Sequence, residues 1–382
     1  MSLEKLAKIS RFYGSNPEFV VAGGGNTSFK DKDFLYVKAS GTSLAQAKPA
    51  DFVKMNRPAL AAIWEKNYPT DTDAREAAVL ADMMASRCPG EESKRPSVET
   101  LLHDLLPFAY VVHLHPSLVN GLSCSVEGEA AAKRLFPEAL WIPLINPGYI
   151  LSKAVKDALN SKNKSGEVQL TGSNSVILLQ NHGIFVAANT VEEIHEIYNK
   201  VMGTLDNCIK KKPDFGGATA NYGDSESLEK EILNIAQKID SNSKWFIKFE
   251  RSNQIATFVA DESAFKSVSS AFTPDHIVYS GSDPLFVKDR SDLEQAFKLH
   301  VEKTGRTPKI IAIQSLGVFG LANSEKAVEN SLELFRDTQK VAVYTESFGG
   351  QRFMTRDIID FINNWEIERY RSQVGVRDGR AV

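Results

Sequence analysis

The chain is poor in the features that would place it outside the ordinary globular class. It has three cysteines, Cys88, Cys124 and Cys208, too few, too far apart and odd in number for a disulfide framework or a cysteine-built zinc cluster. Free thiols fit a reducing cytoplasm, which is the expected location. No stretch approaches the roughly 18 consecutive apolar residues that span a bilayer, and Met1–Arg11 lacks the apolar centre of a secretion signal, so no membrane partner is expected. Excess positive charge is missing too: 45 Lys and Arg against 48 Asp and Glu leave a formal charge of −3, with no dense basic run to hold nucleic acid. A dinucleotide fingerprint is absent. In Gly23-Gly24-Gly25-Asn26-Thr27-Ser28 the last glycine of that pattern is replaced by Ser28, and the strand-like Phe34–Ala39 follows where a helix would be needed.

What remains is an average composition, 42% hydrophobic and 24% charged, over 382 residues, a length that predicts two domains. The informative stretch is Val111-Val112-His113-Leu114-His115-Pro116. Side chains alternate faces along a strand, so His113 and His115 point the same way. By itself such a pair also suits ordinary hydrogen bonding. A metal site needs further donors, at about 2.0–2.1 Å for zinc and histidine. His182, in Leu178-Leu179-Gln180-Asn181-His182-Gly183, also ends an apolar run and is the best third donor. Ser97 reads as the N-cap of a helix with Glu99 in its first turn and His103 on the same face. Glu99 is then either a solvated residue favoured by the helix dipole or a carboxylate aimed at the metal. His103 is assigned a supporting or packing place rather than that of a fourth donor.

The glycine-rich loop before Ser28 and the turn Ser40-Gly41-Thr42 are joined by a predicted hairpin, so the two could wrap one phosphate or be simple β-turns. Helices are expected at Leu3–Tyr13, Ala50–Asn67, Asp73–Ser86, Glu127–Phe136, Ala154–Ser161 and from Thr190 to about Lys211. Lys212–Ser227, rich in glycine, proline and polar residues, is the expected boundary. This gives domains 1–212 and 228–382 with a 213–227 linker. The second half should contain strands near Trp245–Phe249 and Ile255–Ala260 and at Lys309–Ile313. It also carries an echo of the first. Gln180-Asn181-His182-Gly183-Ile184-Phe185 aligns with Gln314-Ser315-Leu316-Gly317-Val318-Phe319, and no H-x-H precedes the second copy.

Together, Gly25-Asn26-Thr27-Ser28, Ser40-Gly41, Pro96-Ser97-Val98-Glu99, His113-Leu114-His115 and Asn181-His182-Gly183 resemble the class II aldolase/adducin family across residues 18 to about 210. The text around Arg95–Pro107, with stretches near Pro274–Val287 and Gly317–Ala322, is most similar to the aldolase portion of bifunctional rhamnulose-1-phosphate aldolase/short-chain dehydrogenase proteins. The resemblance implies an α/β fold: a class II aldolase-like domain with a mixed, largely antiparallel sheet flanked by helices. A second, smaller α/β domain looks like a degenerate repeat without the metal histidines. It implies Zn2+ or another divalent metal on His113, His115 and His182, and Glu99 as the acid/base residue. It implies substrate phosphate bound at Asn26, Thr27, Ser40, Gly41 and Ser97. The expected reaction is cleavage of a ketose 1-phosphate to dihydroxyacetone phosphate and an aldehyde through a metal-stabilised enediolate. The alternatives are a sugar-phosphate 4-epimerase, another sugar lyase, or a non-catalytic adducin-like module. The expected partners are a small sugar phosphate, further copies of the chain in a homo-oligomer, and a separate dehydrogenase. Val98 departs from the family's Pro-Ser-Ser-Glu turn and removes one hydroxyl from the phosphate set.

Overall fold

The computed structural model describes residues 3–165, 176–217 and 224–365, so residues 218–223 of the expected linker lie outside the described residues. The chain divides into two compact units, the first formed mainly by Met1–Ser123 and Glu127–Cys208, the second mainly by Ile209–Asn363. Among the described residues no helix is long and apolar enough to cross a membrane.

The first unit is built on a seven-stranded sheet. Its strands are β1 (Asn26–Lys30), β2 (Phe34–Lys38), β3 (Phe52–Asn56), β4 (Tyr110–Leu114), β5 (Leu140–Ile142), β6 (Val176–Leu179) and β7 (Gly183–Ala188), in the order β3-β2-β1-β4-β7-β6-β5. All neighbours are antiparallel except β5 and β6, giving the mixed, largely antiparallel sheet flanked by helices that the sequence implied. The central β4 is buried at all five positions, because both faces of the sheet are covered. Asn26 pairs with His113 and His113 with Phe185, so these three share a face. Val111 and Phe185 on that face pack with Leu102, Leu151 and Val155 from the overlying helices. His113 is therefore held on a close-packed surface.

Two expected elements differ. Ala50–Asn67 is not one helix: Phe52–Asn56 is strand β3, paired with β2, and the helix is only Arg57–Ile63. Pro58 sits in its first turn, where a residue without an N–H is tolerated, and the Asn56 side chain caps it by accepting from the Ala59 N–H. Ile255–Ala260 is not a strand. Asn253–Phe258 is a short helix whose N-terminus is capped by Ser252 Oγ accepting from the Ile255 N–H.

The second unit has a four-stranded sheet of β8 (Phe246–Glu250), β9 (Leu285–Val287), β10 (Ile310–Ile313) and β11 (Gly317–Ala322), ordered β8-β11-β10-β9. Strand senses and register match those of β4, β7, β6 and β5. Leu179 pairs with Gly183 as Ile313 does with Gly317, and β9 runs parallel to β10 as β5 does to β6. The two turns agree as well. Asn181 and Ser315 are both non-glycine residues at positive φ, 56° and 62°, and each is followed two residues later by the glycine that opens the next strand. A side chain at Gly183 would press within 2.5 Å of the Leu114 carbonyl, and one at Gly317 within 2.8 Å of the Glu250 carbonyl. Register then places Phe249, Arg251 and Leu316 where the first unit has His113, His115 and His182.

Candidate metal centre

His113 lies near the end of β4, His115 one residue beyond the strand, and His182 in the β6–β7 turn. One ring nitrogen from each falls within 4.8 Å of the other two. The Nε2 atoms of His113 and His115 stand 2.9 Å apart. His113 Nδ1 is 3.0 Å from the Ile184 carbonyl, a partner that only accepts, so Nδ1 carries the hydrogen and Nε2 presents its lone pair to the cluster. The His113 ring is also stacked on Phe185 at 3.9 Å between centroids, which fixes its plane.

Glu99 completes the group. It is not inside a helix as expected but is the N-cap residue of the short helix Thr100–Leu105. Ser97 Oγ accepts from its backbone N–H at 3.3 Å. Glu99 is buried. Its Oε2 accepts from Asn26 Nδ2 at 2.6 Å, while Oε1 has no hydrogen-bond partner and faces Nε2 of His113 at 3.3 Å and of His182 at 3.6 Å. A buried carboxylate oxygen left without a donor is costly unless a cation or proton meets it. Three converging imidazoles could hold a divalent metal, with the orphaned carboxylate oxygen beside them, so these residues fit the cation that the family resemblance implies.

The remaining predicted residues fall into two groups. Ser40, Gly41 and Ser97 are brought together: the Ala39 and Pro96 backbones bridge, and the Ser40 N–H donates to the Arg95 carbonyl at 2.8 Å. Gly41 has φ 87°, a conformation that favours glycine. Lys38 Nζ donates to the Thr42 carbonyl at 2.6 Å, bracing this turn from within. Thr27 lies apart, because β1 alternates. It is wholly buried on the other side of the sheet, its Oγ1 bonded to Ser10 Oγ at 2.7 Å. His103 is wholly buried one helical turn after Glu99, its backbone N–H donating to the Glu99 carbonyl at 3.0 Å. Its ring bonds Asn26 and Ser28 and takes no place among the three imidazoles. Burial, followed by the nearby His113 and Lys30, holds its pKa well below the ordinary value and keeps the ring neutral.

Residues 4–201 match the family model of the Class II Aldolase and Adducin N-terminal domain. An uncharacterized oxidoreductase of Bacillus subtilis (strain 168), YuxG, is 26% identical over 317 residues, 78% of this chain. The chain spans 44% of that relative's length. Among solved structures, the N-terminal class II aldolase domain of a conserved protein from Thermoplasma acidophilum is 26% identical, with 54% of this chain and 93% of that one covered at a TM-score of 0.45. L-fuculose-1-phosphate aldolase from Thermus thermophilus is 15% identical, with 52% and 89% covered at a TM-score of 0.33.

Proposed function

Since the chain belongs to the class II aldolase and adducin N-terminal domain family, we propose that it is a zinc-dependent aldolase. It cleaves a ketose 1-phosphate of the rhamnulose or fuculose 1-phosphate type to dihydroxyacetone phosphate and an aldehyde. The observation that carries this reading is the convergence of His113, His115 and His182 around one point, with Glu99 Oε1 facing two of them.

A bound divalent cation supplies Lewis-acid stabilisation of the negative charge that develops on neighbouring substrate oxygens as the carbon–carbon bond breaks. The chain supplies the rest. Glu99 Oε1 moves the proton at the reacting end of the substrate, while Asn26 keeps its other oxygen bonded. The Ser40–Gly41 turn, beside Ser97, holds the phosphate through backbone N–H and hydroxyl groups. Thr27 supports this end of β1 through Ser10. Further copies of the chain are proposed as its oligomeric partners. A separate dehydrogenase acting on the aldehyde product is motivated by YuxG, which bears the name of an oxidoreductase. We assign the second unit as a degenerate copy of the β4–β7 region, on the strength of its matching register.

The test is metal analysis with a panel of ketose 1-phosphates and 5-phosphates. His115→Ala is expected to lose metal and activity together, whereas Glu99→Gln keeps the metal and loses most turnover. Purified protein that binds no divalent ion would favour a non-catalytic, adducin-like module. Interconversion of pentulose phosphates without dihydroxyacetone phosphate would select an epimerase.

A further inference from the structure

Behind Glu99 runs a chain of side chains that the reading above does not use, and its hydrogen positions are fixed link by link. Glu99 Oε2 can only accept, so the Asn26 group 2.6 Å away is the Nδ2 amide and the other end of that side chain is its oxygen. Asn26 Oδ1 lies against His103 Nε2, which must therefore carry the ring hydrogen. In a neutral imidazole Nδ1 is then an acceptor, and the hydroxyl 2.7 Å from it, Ser28 Oγ, donates. The chain reads Ser28 to His103 to Asn26 to Glu99, every donor pointing toward the carboxylate. Asn26 and Ser28 lie on one face of β1, two residues apart, and His103 comes from the same short helix that Glu99 caps. All four residues are buried.

We infer that Ser28 and His103 are positioning residues: they lock the Asn26 amide with its N–H toward Glu99, which turns the other carboxylate oxygen to His113 and His182. The inference rests on the role proposed for Glu99. Without the His103 donor, Asn26 Oδ1 is buried with no partner, and the Glu99 carboxylate alone opposes a flip of the amide. In the wrong flip it sets an oxygen against an oxygen and drives the carboxylate out of place.

The test uses the full chain with His103→Phe, His103→Gln and Ser28→Ala, with Glu99→Gln as reference. Three readouts are taken: 15N signals of the histidine rings in the metal-free protein, cobalt(II) titration of that protein, and release of dihydroxyacetone phosphate. Wild type should show one ring with its hydrogen on Nε2 whose signal moves in Asn26→Ala. His103→Phe should keep stoichiometric cobalt on the intact histidines with the absorption spectrum displaced toward that of Glu99→Gln. Its turnover should fall about 10–100-fold at unchanged KM, the usual cost of removing a group that orients a ligand or base. His103→Gln, which restores a donor at nearly the same point, should recover most of both. Ser28→Ala, the mildest change, should fall between wild type and His103→Phe.

A His103→Phe protein with wild-type spectrum and turnover overturns the inference. So does a Gln variant as impaired as Phe, which would make the ring a space-filler, or a His103 ring with its hydrogen on Nδ1. Glu99→Gln with full turnover strikes the proposed role of the carboxylate instead. A wild type inactive on every ketose phosphate strikes the proposed reaction, and the chain is then judged by its ring signals and cobalt spectra.

Discussion

His103 and Lys30 are buried and Lys309 is half-buried, the charged form of each is disfavoured, and all three push the pH dependence in the same direction. Burial, opposed by Asp104 and aided by Arg57, brings Lys30 from 10.5 down to about 7, and burial with Arg306 brings Lys309 to about 8. The folded pKa is below the unfolded one in each case, so the unfolded chain binds more protons and stability rises with pH through the window between them. For the lysines that window runs from about 7 or 8 up to 10.5. For His103 it opens on the acid side, where the unfolded ring takes a proton near 6.5 and the folded one does not. Urea midpoints should therefore climb from pH 5.5 toward pH 9.5, and Lys30→Met should flatten the part above pH 7. An unchanged slope in that variant would contradict the assignment. At this scale the three imidazoles and Glu99 were legible in the sequence, because strand alternation and an end-of-run position are local signals. The bond from Asn26 to Glu99 was not, since it joins residues 73 positions apart and depends on how the helix Thr100–Leu105 lies over β1.

At the scale of elements, ends and punctuation decided what could be read. Thr190 caps the helix Val191–Asp206 by accepting from the Glu193 N–H, and the Glu193 carboxylate accepts from the Thr190 N–H in return. That helix buries Ile194, Tyr198, Val201 and Leu205, and Tyr198 donates its hydroxyl hydrogen to the Val112 carbonyl of the central strand. Thr190→Ala should cost about 1 kcal/mol, the usual worth of such a cap, seen as a lowered urea midpoint at constant m-value. No loss of stability would mean that the tertiary contacts alone hold the helix end. This start was plain from Thr190-Val191-Glu192-Glu193. Strand β3 was hidden because Phe52–Asn56 leads straight into a helix with no turn residues between them. The helix Asn253–Phe258 was hidden because Ile255–Ala260 is rich in apolar and β-branched residues, and a six-residue helix is too short to display its own period.

Over the whole chain, the two copies of the turn differ in the residues that matter for metal. Where the first unit has His115, the second has Arg251, whose guanidinium donates to the Ser315 carbonyl at 2.8 Å and to that of Leu316. A fixed positive charge stands beside the place where a cation would have to come, and Phe249 and Leu316 offer no lone pair. We therefore expect one tightly held divalent ion per chain by native mass spectrometry, removed by chelator, and two per chain would refute the degenerate-copy assignment. The Leu316 substitution was visible in the sequence. The places of Phe249 and Arg251 needed the strand register. That register bears on biosynthesis as well. His113 and His182 come together only once β4 has zipped onto β7, a pairing between residues about 70 positions apart. A chain emerging from the ribosome carries two of its three imidazoles long before the third exists, and closing so wide a loop is slow. Capture of an ion by all three imidazoles is thus expected only after β7 has been translated and paired with β4, so a shorter chain has no finished trap in which to hold the wrong metal.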